Sequence, residues 1–203
     1  MEKGNASLAL GDYEMAQEFY SGILRKDPLN SDARLGMGKA ILQRISAENS
    51  SDSLLWIRAV THLEAARTIN SSLEVNGLLS QVWQERAFQL LAKDDTIEAL
   101  SALTRAIEHD SRNMDALNQA GIIYFRLGEV GKAKAIFQKA LICDSLSSSV
   151  LFNLGMVNWQ ERNTAVAHDL WFRALEITPN DSEILYWFAR AEKEIRDGQV
   201  EGE

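Results

Sequence analysis

The chain reads as an all-α fold of stacked helix hairpins, and three observations carry that reading. The first is self-similarity: Gly121, Ala133, Phe137, Ala140 and Ser145 are matched 34 residues later by Gly155, Ala167, Trp171, Ala174 and Pro179. A fixed shift of this size marks a repeat architecture. The second is periodicity: within each unit apolar residues recur at three- and four-residue steps, and a break near the middle (Leu127-Gly128, then Arg162-Asn163) divides the unit into two helices. The third is composition. Only two prolines and twelve glycines occur in 203 residues, fewer turn formers than a sandwich or barrel of this length needs.

Taken in order, five units fill most of the chain. The first, about 1–30, has Gly4, the turn Gly11-Asp12-Tyr13, then Ala16, Tyr20 and Pro28, and its opening helix is short. The second, about 31–72, has Gly38, Ala59, Leu63 and Ala66, and the third, about 73–113, has Trp83, Ala87, Ala99, Leu103 and Ala106. The fourth, about 114–147, carries Leu117, Ala120-Gly121, Tyr124, Gly128, Ala133, Phe137 and Ala140; the fifth, 148–181, carries Leu151, Leu154-Gly155, Ala167, Trp171, Ala174 and Pro179. Small residues allow the two helices of a hairpin to approach closely, bulky ones such as Tyr20, Phe137 and Trp171 fill the space between hairpins, and Pro28 and Pro179 stop second helices. The segment 182–197 is expected to be an amphipathic cap helix, started by Asp181 or Ser182 and stopped at Asp197-Gly198, with 198–203 a disordered tail. The solenoid thus spans 1–197.

Two stretches exceed the repeat length. Between Gln43 and Leu54 about nine extra residues, rich in serine with Asn49 and Asp52, are expected to form an exposed loop over 44–53. Between Ser72 and Ser80 the extra residues Leu73 to Leu79 keep helical spacing and are expected to lengthen the first helix of the third unit by one or two turns.

A net charge of -8 and a pI near 5.0 argue against nucleic acid or an anionic membrane as partner, because phosphate contact needs a clustered basic footprint. No stretch is apolar enough to span a bilayer and the amino terminus lacks signal-peptide character, so membrane insertion is not expected and the chain as written is expected to be cytoplasmic. The single cysteine, Cys143, forms no internal disulfide and sits at an apolar position where burial is the simpler reading than a reactive thiol. His62, His109 and His168 have no second histidine or cysteine at ligand spacing, so no metal site is expected. Gly36-Met37-Gly38-Lys39-Ala40 resembles a phosphate-binding loop, but it lacks the first glycine at the required distance and has Ala40 where a hydroxyl belongs. No nucleophile, base and orienting group fall together, so neither catalysis nor a cofactor is expected.

The residues quoted for each unit resemble the tetratricopeptide repeat family: a bulky residue, Leu-Gly three positions on, an aromatic after another three, then alanine, aromatic, alanine and a closing proline on the second helix. Asn158 stands where the fifth unit would have the aromatic. The resemblance implies a right-handed α-solenoid whose concave face is lined by the first helix of each unit and binds peptides or partner helices. Transferred by repeat position, the ligand-facing residues are Phe88, Asn118, Ile122, Phe125, Phe152, Met156 and Trp159, with Asn153 beside them. That lining is apolar and aromatic with neutral amides, and it suits a neutral or mildly basic, partly apolar segment. Some family members hold acidic chaperone tails with a clamp of lysines, an arginine and asparagines; here Asn5 fits one asparagine, but Gly36 replaces the other, and Gln81 and Glu85 stand where cations are needed. The implied function is a non-enzymatic scaffold or adaptor. Its alternatives are a self-assembling homo-oligomer and a repeat segment of a larger multidomain protein.

Overall fold

A computed structural model describes residues 1–48, 50 and 52–200, the side chains of 198–200 excepted. Among the described residues there are eleven helices and no strand. The chain divides into two compact units, Met1–Asn113 and Met114–Glu203. The first holds α1 (Glu2–Ala9), α2 (Tyr13–Lys26), α3 (Ser31–Glu48), α4 (Ser53–Ile69), α5 (Leu73–Leu91) and α6 (Thr96–His109). The second holds α7 (Met114–Arg126), α8 (Val130–Cys143), α9 (Ser148–Gln160), α10 (Thr164–Ile177) and α11 (Ser182–Val200).

The turns of four hairpins follow one hydrogen-bond scheme. At the end of α1 the Gly11 N–H donates to Leu8 O and the Asp12 N–H to Ser7 O; the same two bonds recur at Asp94 and Asp95, at Gly128 and Glu129, and at Arg162 and Asn163. These are the paired bonds of a Schellman stop, which needs a left-handed residue after the helix. Gly11 and Gly128 supply it at φ 77° and 76°, whereas Asp94 and Arg162 adopt φ 60° and 64° despite their Cβ atoms, a conformation disfavoured for side-chain-bearing residues. After two of these turns a side chain caps the next helix: Asp12 Oδ1 accepts from Met15 N at 3.0 Å and Asp95 Oδ1 from Glu98 N at 3.3 Å. Second helices end differently. Asp27, Asp110 and Asp144 leave the helix in extended backbone, and their side chains accept from the N–H two residues on. Pro28 and Pro179, just past α2 and α10, have no N–H with which to continue the helix.

The helices of a hairpin are fastened at a glycine. A Cβ added at Gly121 would lie 2.5 Å from Phe137 Cε1, and one at Gly155 would run into the Trp171 indole. Tyr20 is received by two glycines, Gly4 of α1 and Gly36 of α3, and Leu63 by Gly38. Tyr20, Leu63, Phe137 and Trp171 are all at most 1% exposed. In the third hairpin Ala87 stands at the glycine's place and fully buried Leu103 at the aromatic's.

The expected loop over 44–53 is corrected. Helix α3 runs 18 residues to Glu48 and α4, 17 residues long, begins at Ser53, so most of the extra sequence lengthens the two helices of this hairpin. Two interactions hold the extension: Ile45 is 1% exposed within the core of α2, α3, α4 and α5, and Arg44 pairs with Glu48 one turn on and with Glu14 of α2. The serine-rich tip is short. Its Ser50 N–H closes α3 by donating to Ile45 O, and its carbonyl accepts from Gln89 Nε2 of α5 at 2.7 Å; Asn49 and Ser51 lie outside the described residues. Helix α5, 19 residues long, takes in Leu73 to Leu79 behind the cap of Ser72 on Val75 N.

The carboxyl-terminal helix also departs from expectation. Asp181 Oδ1 accepts from both Glu183 N and Ile184 N and starts α11. Asp197-Gly198 does not stop it, because the helix continues to Val200, and an Asp-Gly pair ends a helix only where the glycine turns left-handed. Residues 201–203 of the expected tail lie outside the described residues.

The glycine contacts give a paired test. Gly155→Ala should lower stability by about 1–3 kcal/mol through overpacking against Trp171, whereas Gly22→Ala, in α2 with nothing within 4 Å of the added methyl, should raise it by about 0.5–1 kcal/mol. Chemical denaturation of the two variants measures both signs.

Candidate functional site

Because second helices direct their large side chains at the glycines of first helices, the opposite sides of the first helices are left to line open space. In the first unit α1, α3 and α5 border a cavity of about 1350 Å³, with Asn5, Asp32, Leu35, Lys39, Leu42 and Gln81 among its lining. Much of its polar capacity is already used. Asn5 Oδ1 accepts from Tyr20 Oη at 2.7 Å, and Lys39 is ion-paired with Glu74 of α5. Phe88 of α5 is 38% exposed and does not line this cavity.

In the second unit α7 and α9 bring six of the expected residues into one neighbourhood. Asn153 Nδ2 donates to Asn118 Oδ1 at 3.0 Å, which leaves the Asn118 NH₂ group and the Asn153 carbonyl with bonding capacity to spare. Phe125, Met156 and Trp159 line a single cavity of about 460 Å³ with Gln160, Arg162, Arg190 and Glu194. Phe152 is half-buried; its ring lies 6.4 Å from that of Trp171, and its backbone carbonyl accepts from Trp171 Nε1 at 3.1 Å. Ile122 is half-buried on α7 and does not line the cavity.

Trp159 has two duties. With Trp171 and Trp187 it forms a cluster whose centroids are 5.8 to 5.9 Å apart, so it is both a wall of the cavity and part of the packing between α9, α10 and α11. The cluster continues in Arg190, whose guanidinium carbon lies 5.6 Å from the Trp159 ring and 5.3 Å from that of Trp187. The sequence marks 182–197 as an amphipathic cap helix and singles out neither Arg190 nor Arg162 as lining. The missed signal was the three-residue step from Trp187 to Arg190, which puts both on one side of α11.

His62 has a pKa held below the ordinary imidazole value, first by burial and then by the charges of Arg34 and Arg58, and its Nδ1 is buried without a partner among the described residues. His109 is lowered as well: burial outweighs Glu64, whose Oε1 is 3.5 Å away. His168 stacks on Phe188 at 4.5 Å. No group of three metal-ligating side chains occurs among the described residues, and no described helix is long and apolar enough to cross a membrane. The phosphate-loop resemblance ends inside α3, where Gly36 and Gly38 are occupied by Tyr20 and Leu63.

Comparison with known proteins agrees with this architecture. Residues 90–148 match the tetratricopeptide repeat family model. The matched stretch, from the end of α5 to the start of α9, carries tetratricopeptide repeats. Human Tetratricopeptide repeat protein 6 is 20% identical over 198 residues, covering 87% of this chain and 38% of that protein. The chain spans 33% and 38% of the length of the two curated relatives it matches. Among solved structures, YrrB, described as a TPR protein with an unusual peptide-binding site, superposes with a TM-score of 0.56 at 19% identity, over 90% of this chain and 87% of its own. The first TPR of Spaghetti (RPAP3), bound to the HSP90 peptide SRMEEVD, gives 0.57 at 18% identity over 59% and 95%. The fold is that of tetratricopeptide solenoid proteins.

The depressed histidines set the sign of a pH effect. Both bind a proton more readily in the unfolded chain, so stability is full above the ordinary imidazole pKa of about 6.5 and falls as pH drops through the lower folded values. Thermal melts at pH 7.5 and pH 5.5 should show that loss, and His62→Gln should reduce it.

Proposed function

We propose that the chain is a non-catalytic interaction scaffold that takes a peptide or protein segment, neutral or mildly basic overall and partly apolar, on the face shared by α7 and α9. The observation that carries this reading is the juxtaposition on that face of an aromatic and thioether cavity (Phe125, Met156, Trp159) with an amide pair (Asn118, Asn153). Amides with spare donors and acceptors can hold an extended backbone while the cavity takes a bulky side chain. Two of the compared proteins are described with peptides or a peptide-binding site, which supports the same use here. Phe152 and Ile122 flank the amide pair in the proposed face, and Phe88 serves the equivalent face of the first unit. The cytoplasm is the proposed compartment.

The negative charge of the whole chain, -8, weighs against a highly acidic segment such as those held by a carboxylate clamp. The first-unit face supports this, since Asn5 is engaged by Tyr20 and Lys39 by Glu74.

The combined variant Phe152→Ala with Asn153→Ala tests the face. It removes one ring and one amide but keeps the backbone carbonyl that receives Trp171 Nε1, so circular dichroism should show unchanged helical content. Affinity for captured partners should fall at least tenfold, the scale of a lost interface anchor. Undiminished capture would exclude this face. Light scattering across a concentration series should report a constant mass; growth with concentration would favour the self-assembling alternative.

A further inference from the structure

The cavity lined by Phe125, Met156 and Trp159 is also lined by two arginines, Arg162 and Arg190. Neither makes an ion pair with a carboxylate among the described residues. The nearby cation Lys134 is in contrast committed to Glu161 at 2.5 Å, and Glu194, the acid that lines the cavity, accepts from Thr164 Oγ1 at 3.3 Å. The guanidinium of Arg190 is held against two tryptophan rings at 5.6 and 5.3 Å. A guanidinium held over aromatic rings still keeps N–H donors with which a carboxylate can be met by two parallel bonds. Arg190 is therefore placed beside the cavity before any ligand arrives, and the ordering cost on binding is reduced.

We propose that this pocket recognises a carboxylate placed next to an apolar side chain: the apolar group enters between Phe125, Met156 and Trp159, and the carboxylate bonds to Arg190 with Arg162 adding charge at the rim. This rests on the reading that the α7 and α9 face takes a peptide, and it names the chemistry of one anchor within it. The assignment is compatible with the chain's overall charge. Screening confines the field of distant charges to about 8–10 Å in physiological salt, so the local arginines govern a single carboxylate, while the acidic surface disfavours a ligand carrying several. The site differs in origin from a clamp on first helices, because one arginine comes from the turn before α10 and the other from α11. A cavity of about 460 Å³ lies at the small end of ligand pockets, about 300–1000 Å³, and suits one anchor residue.

The carboxylate has two sources, an Asp or Glu side chain or the free end of a chain. Selection of two random-peptide libraries on the full chain separates them: one library is joined to its carrier at both ends, and the other ends in a free carboxyl group. The expected result is enrichment of an apolar residue followed by Asp or Glu in the first, or by the terminus in the second. Replacing that carboxylate by its amide should weaken binding about tenfold, the scale of a charge-assisted hydrogen-bond pair. Arg190→Gln should weaken the acid form about tenfold and abolish the difference between acid and amide, and Arg190→Lys should restore part of it; thermal melts confirm that both variants fold. Enriched peptides that bind equally as acid and amide, yet are lost on the Phe152→Ala, Asn153→Ala variant, would overturn the carboxylate pocket and leave the scaffold face standing. No enrichment in either library, or binding indifferent to Phe152 and Asn153, would overturn both.

Discussion

Close approach of two helices at a glycine, with a large side chain of the second helix lying on it, is the contact on which the rest of this structure depends. Gly4 with Tyr20, Gly121 with Phe137 and Gly155 with Trp171 are each separated by sixteen residues, the rest of one helix, one Schellman turn and the first half of the next helix. Gly38 and Leu63 make the same contact across 25 residues. Nine additional residues have thus been accommodated without moving the lock, because they are spread over the free ends of α3 and α4, away from the glycine. A buried ring on a glycine leaves no room for a methyl group, whereas length added beyond the contact only extends two helices that already lie side by side.

The lock also decides which surfaces remain available. Since Tyr20, Phe137 and Trp171 are spent between helices, the opposite sides of α3, α7 and α9 face open space and carry the polar and half-buried apolar residues. Trp171 shows the economy of the arrangement: it fills the space above Gly155, its Nε1 fixes the Phe152 carbonyl, and its ring supports Trp159 and Trp187. The wall of the candidate pocket is consequently continuous with the core of the second unit. A wall held this way has little freedom left to lose on binding, which favours recognition by a preformed surface.

The hairpin breaks, the prolines after α2 and α10 and the cap at Asp181 were legible because each depends on neighbours within a turn of the chain. The extension of α3 was not, because its serines and Asn49 resemble a loop locally, and what keeps it helical is the burial of Ile45 in the core and the pairing of Arg44 with Glu14 of another helix. The left-handed Arg162 was equally obscure: the break at Arg162-Asn163 was visible, but only the paired bonds to Trp159 and Asn158 show that a non-glycine residue bears the unfavourable φ. Of the candidate site, the aromatic and amide residues of α7 and α9 could be placed by repeat position. That Asn118 and Asn153 bond to each other, and that Arg190 of α11 turns onto Trp159, could not.

By itself the sequence determined the repeat, the helices and the side of each helix that must be buried, since these follow from periodicities of three to four residues and of 34 residues that local chemistry imposes. The tertiary structure alone decided which polar groups are consumed and which are left over. Asn5 is taken by Tyr20, Lys39 by Glu74 and Lys134 by Glu161, while Arg190 keeps its donors beside an aromatic pocket. Whether a charged or amide side chain is free depends on partners brought from distant helices, and the azimuth at which those helices pack is set by the sum of many buried contacts, not by any short stretch of sequence.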